Sequence, residues 1–189
     1  MKTLVLNGSP RKNGDTVTLI NEMTKYLSGD VKVISSYYDN ITPCLDCRYC
    51  WSSSGCCIDD RMQDVYGYIE ECDNIILASP IYFSELTGSL LGLLSRVQTY
   101  FASKYFRGED IDLKNKNGAL ILVGAQKGTE EKASRTAYTV FRHLNVYPCV
   151  ASVLSMNTNN TAAVDDDAAL KQAKEAAKLL NGLCEDSAQ

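Results

Sequence analysis

The strongest constraint on this chain is its alternation of short, unbroken apolar runs with segments of helical period. Thr3–Leu6, Val31–Ile34, Ile75–Ala78, Ala119–Val123 and a weaker run at Val150–Leu154 read as strands. Their near-continuous hydrophobicity suits strands buried on both faces. Between them, apolar residues recur at intervals of three and four: Val17, Ile20, Met23, Leu27; Met62, Val65, Ile69, Cys72; Leu86, Leu90, Leu93, Val97, Phe101; Ala133, Ala137, Val140, Leu144; and Leu170, Ala173, Ala177, Leu180. This spacing predicts five helices, the last opening on the acidic run Asp165–Asp167, which complements a helix N-terminus. Strict alternation of strand and helix is the βαβ rhythm, so the expected fold is α/β: a doubly wound, five-stranded parallel sheet with helices on both faces.

The length of 189 residues, 45% of them hydrophobic, fits one domain with an adequate core. The net charge of −4, with Lys and Arg scattered, gives no basic face for a nucleic acid or an anionic membrane. The first apolar run is far shorter than a signal-peptide core, and the longest, Ala119–Val123, falls well below the roughly 20 residues of a spanning helix. A soluble, cytoplasmic protein is expected.

Two segments interrupt the alternation. Lys104–Asn117 is polar and reads as a surface connection, and Ile41–Asp60 carries a cysteine cluster. The lone histidine, His143, sits near the end of the fourth helix and reads as a surface or cap residue.

In an open doubly wound sheet, ligands bind at the carboxyl ends of the strands where strand order reverses. For the five-stranded flavodoxin-like order, that point lies between the first and third strands. After the first strand, Asn7-Gly8-Ser9-Pro10-Arg11-Lys12-Asn13-Gly14-Asp15-Thr16 runs into a helix. Gly8 and Gly14 allow tight turns, Ser9 and Thr16 offer hydroxyls, Arg11 offers a planar cation, and the helix start offers free N–H groups. Together these describe a pocket for a phosphate monoester. No Walker loop and no Gly-x-Gly-x-x-Gly fingerprint is present. After the third strand, Pro80 stiffens a turn in which Tyr82 and Phe83 can flank a flat ring, and Gly124–Thr129 would supply a third wall.

The run from Asn7 to Gly14, Cys57-Ile58-Asp59-Asp60 with Met62, and Ile75 to Tyr82 resemble the NADPH-dependent FMN reductases, which are flavodoxin-like. The resemblance implies FMN as cofactor and NAD(P)H as co-substrate. It implies that Ser9, Arg11, Asn13, Gly14 and Thr16 surround the FMN phosphate, and that Pro80, Tyr82, Phe83 and Ser84 lie against the isoalloxazine. Homodimers or homotetramers are common among such relatives. Three positions depart from the family pattern. Asp15 replaces the usual Asn, and its carboxylate must turn away from a phosphate. Leu91 and Ser95 replace a Lys and an Asp, while Arg96 is retained.

Cys44, Cys47, Cys50 and Cys56 follow an x2, x2, x5 spacing, with Cys57 adjacent. Two-residue spacings aim successive thiolates at one centre, as in ferredoxin-type motifs, and the segment resembles the cysteine motif of the iron-sulfur flavoproteins. A [4Fe–4S] cluster, a structural zinc and an empty loop are the competing readings, with Cys56 or Cys57 as the fourth ligand. The expected function is an FMN-dependent oxidoreductase that passes electrons from NAD(P)H or a ferredoxin-type donor to a small acceptor. The alternatives are a flavodoxin-like electron carrier without substrate turnover and a metal-stabilised binding module.

Overall fold

The computed structural model describes residues 1–109 and 113–186. Strands β1 (Lys2–Asn7), β2 (Asp30–Ser35), β3 (Asn74–Tyr82), β5 (Lys116–Val123) and β6 (Val146–Ser155) form one parallel sheet in the order β2-β1-β3-β5-β6. The reversal of strand order falls between β1 and β3, as the flavodoxin-like expectation requires. Helices α1 (Asp15–Thr24) and α7 (Asp167–Asp186) lie on one face, and α3 (Met62–Glu71), α4 (Gly88–Ser95) and α6 (Glu130–His143) on the other.

Each central strand splits its apolar run between two cores. Leu4 and Leu6, Ile75 and Leu77, and Leu120 and Leu122 face the α3/α4/α6 layer with Met62, Leu90 and Phe141. Val5, Ile76 and Ala78, and Ala119 and Ile121 face the α1/α7 layer with Leu19, Met23 and Leu180. Side chains alternate along a strand, so a strand buried on both faces must be apolar at every position. That is why the strand runs are unbroken. The second layer uses Ala169, Ala173, Ala176 and Ala177, all essentially buried, which lets α7 approach the sheet closely.

The sequence expectation needs correction in four places. Among the described residues there are six strands, not five, because Glu85–Leu86 forms a short antiparallel strand β4 against Ile81 and Tyr82. Leu86 therefore belongs to a hairpin rather than a helix, and α4 starts after Thr87, whose side chain accepts from the Leu90 N–H. The third helix is also divided. Arg96 and Val97 donate to carbonyls three residues back, which tightens the turn and separates α4 from α5 (Gln98–Ala102). Last, Lys104–Asn117 is not wholly a surface connection: a π-helical turn continues through Arg107, Lys116 opens β5 fully buried, and the part of the segment at 110–112 lies outside the described residues. Among the described residues, no helix is long and apolar enough to cross a membrane.

Candidate functional site

The loop after β1 is built from its own side chains. The Asn7 Oδ1 accepts from the Ser9 N–H at 2.9 Å, and the Ser9 Oγ accepts from the Arg11 N–H at 3.2 Å while donating to the Arg11 carbonyl at 3.1 Å. Such Asx and Ser turns fold the backbone back on itself. The Gly8 N–H donates to the Ala78 carbonyl at 2.7 Å, tying the loop to β3. Its carbonyl accepts from the buried Thr87 Oγ1 at 2.8 Å. The Thr87 N–H in turn donates to the Ser79 Oγ at 3.1 Å, so β1, β3 and α4 are locked together under the loop.

Above this lock lies a cavity of about 230 Å³. Ser9, Arg11, Gly14 and Thr16 line one side, at the start of α1, where the first N–H groups have no partner within the helix. Pro80 and Tyr82 from β3 line a second side, and Val123, Gly124 and Ala125 a third. The structure thus gathers six of the nine expected cofactor residues around one opening. Asn13 lies on the exposed rim without lining it. Phe83 and Ser84 are the two turn residues of the β3–β4 hairpin, both at positive φ (54° and 60°), and Phe83 is wholly exposed. A two-residue hairpin selects that backbone, and it carries both side chains outside the cavity lining.

Asp15 also lines the cavity, with one carboxylate oxygen engaged elsewhere. Its Oδ1 accepts from the Ala163 N–H at 2.8 Å, so the carboxylate is engaged by the segment before α7. Thr158 and Asn159, in the loop after β6, also line the cavity, and sequence reasoning missed them. The polar run Asn157–Thr161 after a strand was the available signal. The Thr158 N–H and Oγ1 both donate to the Gly124 carbonyl, at 3.1 and 3.2 Å, which couples that loop to the third wall.

The cysteine segment is docked on α4 and α5. Asp60 closes its base: the carboxylate accepts from the Thr42 N–H at 2.8 Å, the Met62 N–H at 3.0 Å and the Arg96 Nη1 at 2.8 Å. Burial alone would raise the Asp60 carboxyl, but these bonds outweigh it and hold it below its ordinary value. Arg96 has a fully buried side chain and also donates to the Thr42 carbonyl at 2.8 Å and the Ile58 carbonyl at 3.3 Å. The retained arginine, to which the sequence assigned no role, is the anchor of the loop. Its place in the apolar stretch Leu90–Val97 was the signal, since a buried charge requires a partner. Further along, Cys44 N–H donates to the Ser95 Oγ at 2.9 Å and Thr99 Oγ1 to the Gly55 carbonyl at 2.9 Å. Trp51, in the one-turn helix α2 (Tyr49–Ser52), stacks on Phe106 with ring centroids 3.9 Å apart.

Cys44, Cys47, Cys50 and Cys56 all line one small cavity of about 20 Å³, mostly apolar, against Arg96 and Thr99. Cys57 does not line it. Burial raises the Cys50 thiol. The Tyr49 backbone and the Cys57 thiol lower that of Cys47, and the same Cys47 contact raises Cys57. Among the described residues, no three candidate ligands are drawn to one centre. His143 lies elsewhere, its ring 5.7 Å from that of Phe101, on a cavity of about 540 Å³ near Asn145 at the opposite edge of the sheet.

The sequence profile of the NADPH-dependent FMN reductases matches residues 1–161. An iron-sulfur flavoprotein of Methanosarcina thermophila is 30% identical over 142 residues, covering 73% of this chain and 71% of that one. A second, from Methanocaldococcus jannaschii, is 32% identical over 148 residues, covering 75% and 71%. Among solved structures, the NAD(P)H:quinone oxidoreductase of Methanothermobacter marburgensis superimposes with a TM-score of 0.71 at 19% identity, covering 94% of each chain. An FMN-dependent NADH-azoreductase of Bacillus anthracis in complex with FMN gives 0.70 at 15% identity, covering 96% of this chain and 100% of that one. Phosphate-type loop, strand order and sequence match converge, and the chain belongs to the NADPH-dependent FMN reductase family.

Proposed function

We propose that this chain is a cytoplasmic FMN-dependent oxidoreductase that takes electrons from NAD(P)H or a ferredoxin-type donor and delivers them to a small acceptor. The observation that carries this is the cavity at the β1/β3 reversal, where two buried hydroxyls, an arginine and a helix N-terminus meet a strand bearing Tyr82. The hydroxyls of Ser9 and Thr16 and the first N–H groups of α1 would hold a phosphate monoester, and Arg11 would neutralise it. Pro80 and Tyr82 would bound one side of the ring system, with the Gly124–Ala125 backbone opposite. FMN, when bound, supplies the hydride and electron chemistry. The protein's part is to orient it and limit water, so no side chain need act as acid or base.

Three measurements bear on this reading. Flavin released by denaturation should chromatograph as FMN, and NADPH should bleach the bound flavin rapidly; recovery of mainly FAD, or no bleaching by either nicotinamide or by reduced ferredoxin, would contradict it. Arg11→Ala should weaken FMN binding by about 1.5–3 kcal/mol, the range for a hydrogen bond to a charged group. An unchanged Kd would remove Arg11 from the pocket.

We infer further that Cys44, Cys47, Cys50 and Cys56 hold a [4Fe–4S] cluster. Support comes from their thiol chemistry, from their shared cavity, and from relatives named iron-sulfur flavoproteins. That cavity holds little more than one water, so the thiols must move outward to accept the cluster. Anaerobic reconstitution should then give close to one cluster per chain by iron and sulfide analysis. Substoichiometric iron, or zinc in its place, would leave a cluster-free reductase. Assembly as a homodimer or homotetramer is part of the same reading.

A further inference from the structure

We propose that Cys47 and Cys57 are a redox-active dithiol that reacts with low-molecular-weight disulfides and closes to an intramolecular disulfide, and that this closed state excludes a metal centre from the neighbouring cysteine cavity. The two Sγ atoms lie 3.4 Å apart, and among the described residues they are the one pair of thiols in contact. Both residues are exposed, so a small disulfide reaches them from solvent. Neither belongs to a helix or strand, so the sulfurs can close the remaining ~1.4 Å to the S–S bond length without breaking a backbone ladder.

Their surroundings hold the pair in place. Asp60 and Arg96 clamp the two ends of the segment together through Thr42 and Ile58. Gln63 Nε2 donates to the Cys56 and Ile58 carbonyls at 2.9 and 2.7 Å, on both sides of Cys57. The Cys44 N–H is held by Ser95, three residues before Cys47. A pre-formed approach of this kind is what makes the second, intramolecular step fast relative to attack by a further free thiol.

The chemistry balances with an external disulfide as oxidant. One thiolate of the pair attacks a sulfur of the small disulfide, forming a mixed disulfide and releasing one small thiolate. The second thiolate then attacks the protein sulfur of the mixed disulfide. The internal S–S bond forms, the mixed S–S bond breaks, and a second small thiolate leaves. The protein loses two electrons and two protons, and the small disulfide becomes two thiols.

Cys47 lines the cavity shared with Cys44, Cys50 and Cys56, whereas Cys57 does not. A Cys47–Cys57 bond therefore withdraws one donor from that set. The exclusion rests on the proposed cluster; the dithiol does not.

The test uses the full chain with FMN bound, stripped of iron with a chelator and incubated anaerobically with oxidised glutathione. The intact mass should fall by two hydrogens, and digestion should yield one cross-linked pair containing Cys47 and Cys57. Of the eight cysteines, two are consumed, leaving six to react with an alkylating agent. Cys57→Ser and Cys47→Ser should each stop at a stable glutathione adduct on the remaining partner. A lasting adduct on the parent chain, a different pairing, or no reaction would overturn the proposal. Protein reconstituted with iron and sulfide beforehand should resist the oxidant. If the cross-link forms at an unchanged rate there, the cluster reading fails and the dithiol stands.

Discussion

Replacing Arg96 with leucine should destabilise the protein by about 3–5 kcal/mol, the range for removing one partner of a buried ion pair. At about 2–4 °C per kcal/mol for a chain of this size, that is a fall in Tm of roughly 6–20 °C. The side chain is fully buried, and leucine leaves the Asp60 carboxylate, itself only 10% exposed, without its cation. It also strips the Thr42 and Ile58 carbonyls of their donor. Protease cleavage within residues 41–60 should accelerate in parallel, because the clamp that joins the ends of that segment is gone. Adding Asp60→Asn should recover part of the loss, since the uncompensated charge is then absent. The wild-type chain should show a related dependence on acid. The Asp60 carboxyl lies lower in the folded state than in the unfolded chain. Its contribution is therefore complete above the unfolded carboxylate value of about 3.9 and is lost as pH falls through the lower folded value. In Arg96→Leu that acid limb should shrink. A loss under about 1 kcal/mol, typical of an exposed pair, would show that the Arg96–Asp60 pair does not anchor the segment.

Gly8→Ala should be the most damaging small substitution in the cofactor loop. A Cβ on Gly8 would lie 2.9 Å from Leu90 Cβ and Cδ2 and from Thr87 Oγ1. Leu90 Cβ sits close to the α4 backbone and cannot yield as the tip of a long side chain would. Forcing the contact costs about 1–3 kcal/mol by overpacking. It also pushes the loop away from the Thr87 hydroxyl that fixes the Gly8 carbonyl. Ser9, Arg11 and Thr16 would then lose their common orientation, and FMN affinity should fall by more than for Arg11→Ala alone. Gly67→Ala is the matched control, since a Cβ there meets nothing within 4 Å and the residue lies inside α3. It should be neutral or stabilising by up to about 1 kcal/mol. Fluorescence titration of FMN with thermal unfolding separates the two losses; equal behaviour of the two alanine variants would contradict the packing argument.

Much of this architecture was legible because burial on both faces leaves a plain mark. Val5, Ile76 and Ile121 point to one core while Leu4, Ile75 and Leu120 point to the other, and no polar residue interrupts them. The phosphate-type loop was legible for a different reason. Its glycines and hydroxyls are required locally, by turns that close within ten residues. What stayed hidden depends on long-range contacts. Thr158 and Asn159 reach the cavity only because β6 lies next to β5, and one oxygen of Asp15, which lines the same cavity, is engaged only because Ala163 arrives from 148 residues later in the chain. The hairpin of Tyr82 to Glu85 was hidden because Leu86 fits a helical period as well as a strand; the turn expected at Pro80 falls instead at Phe83 and Ser84, and Pro80 and Tyr82 lie within β3.

A structure of the protein with FMN tests the central claim most directly. The phosphate should lie within hydrogen-bond distance of Ser9, Thr16 and the start of α1, and the isoalloxazine should sit within about 4.5 Å of Tyr82. A flavin found instead in the cavity bounded by Tyr100, Phe101 and His143, at the other edge of the sheet, would contradict the account.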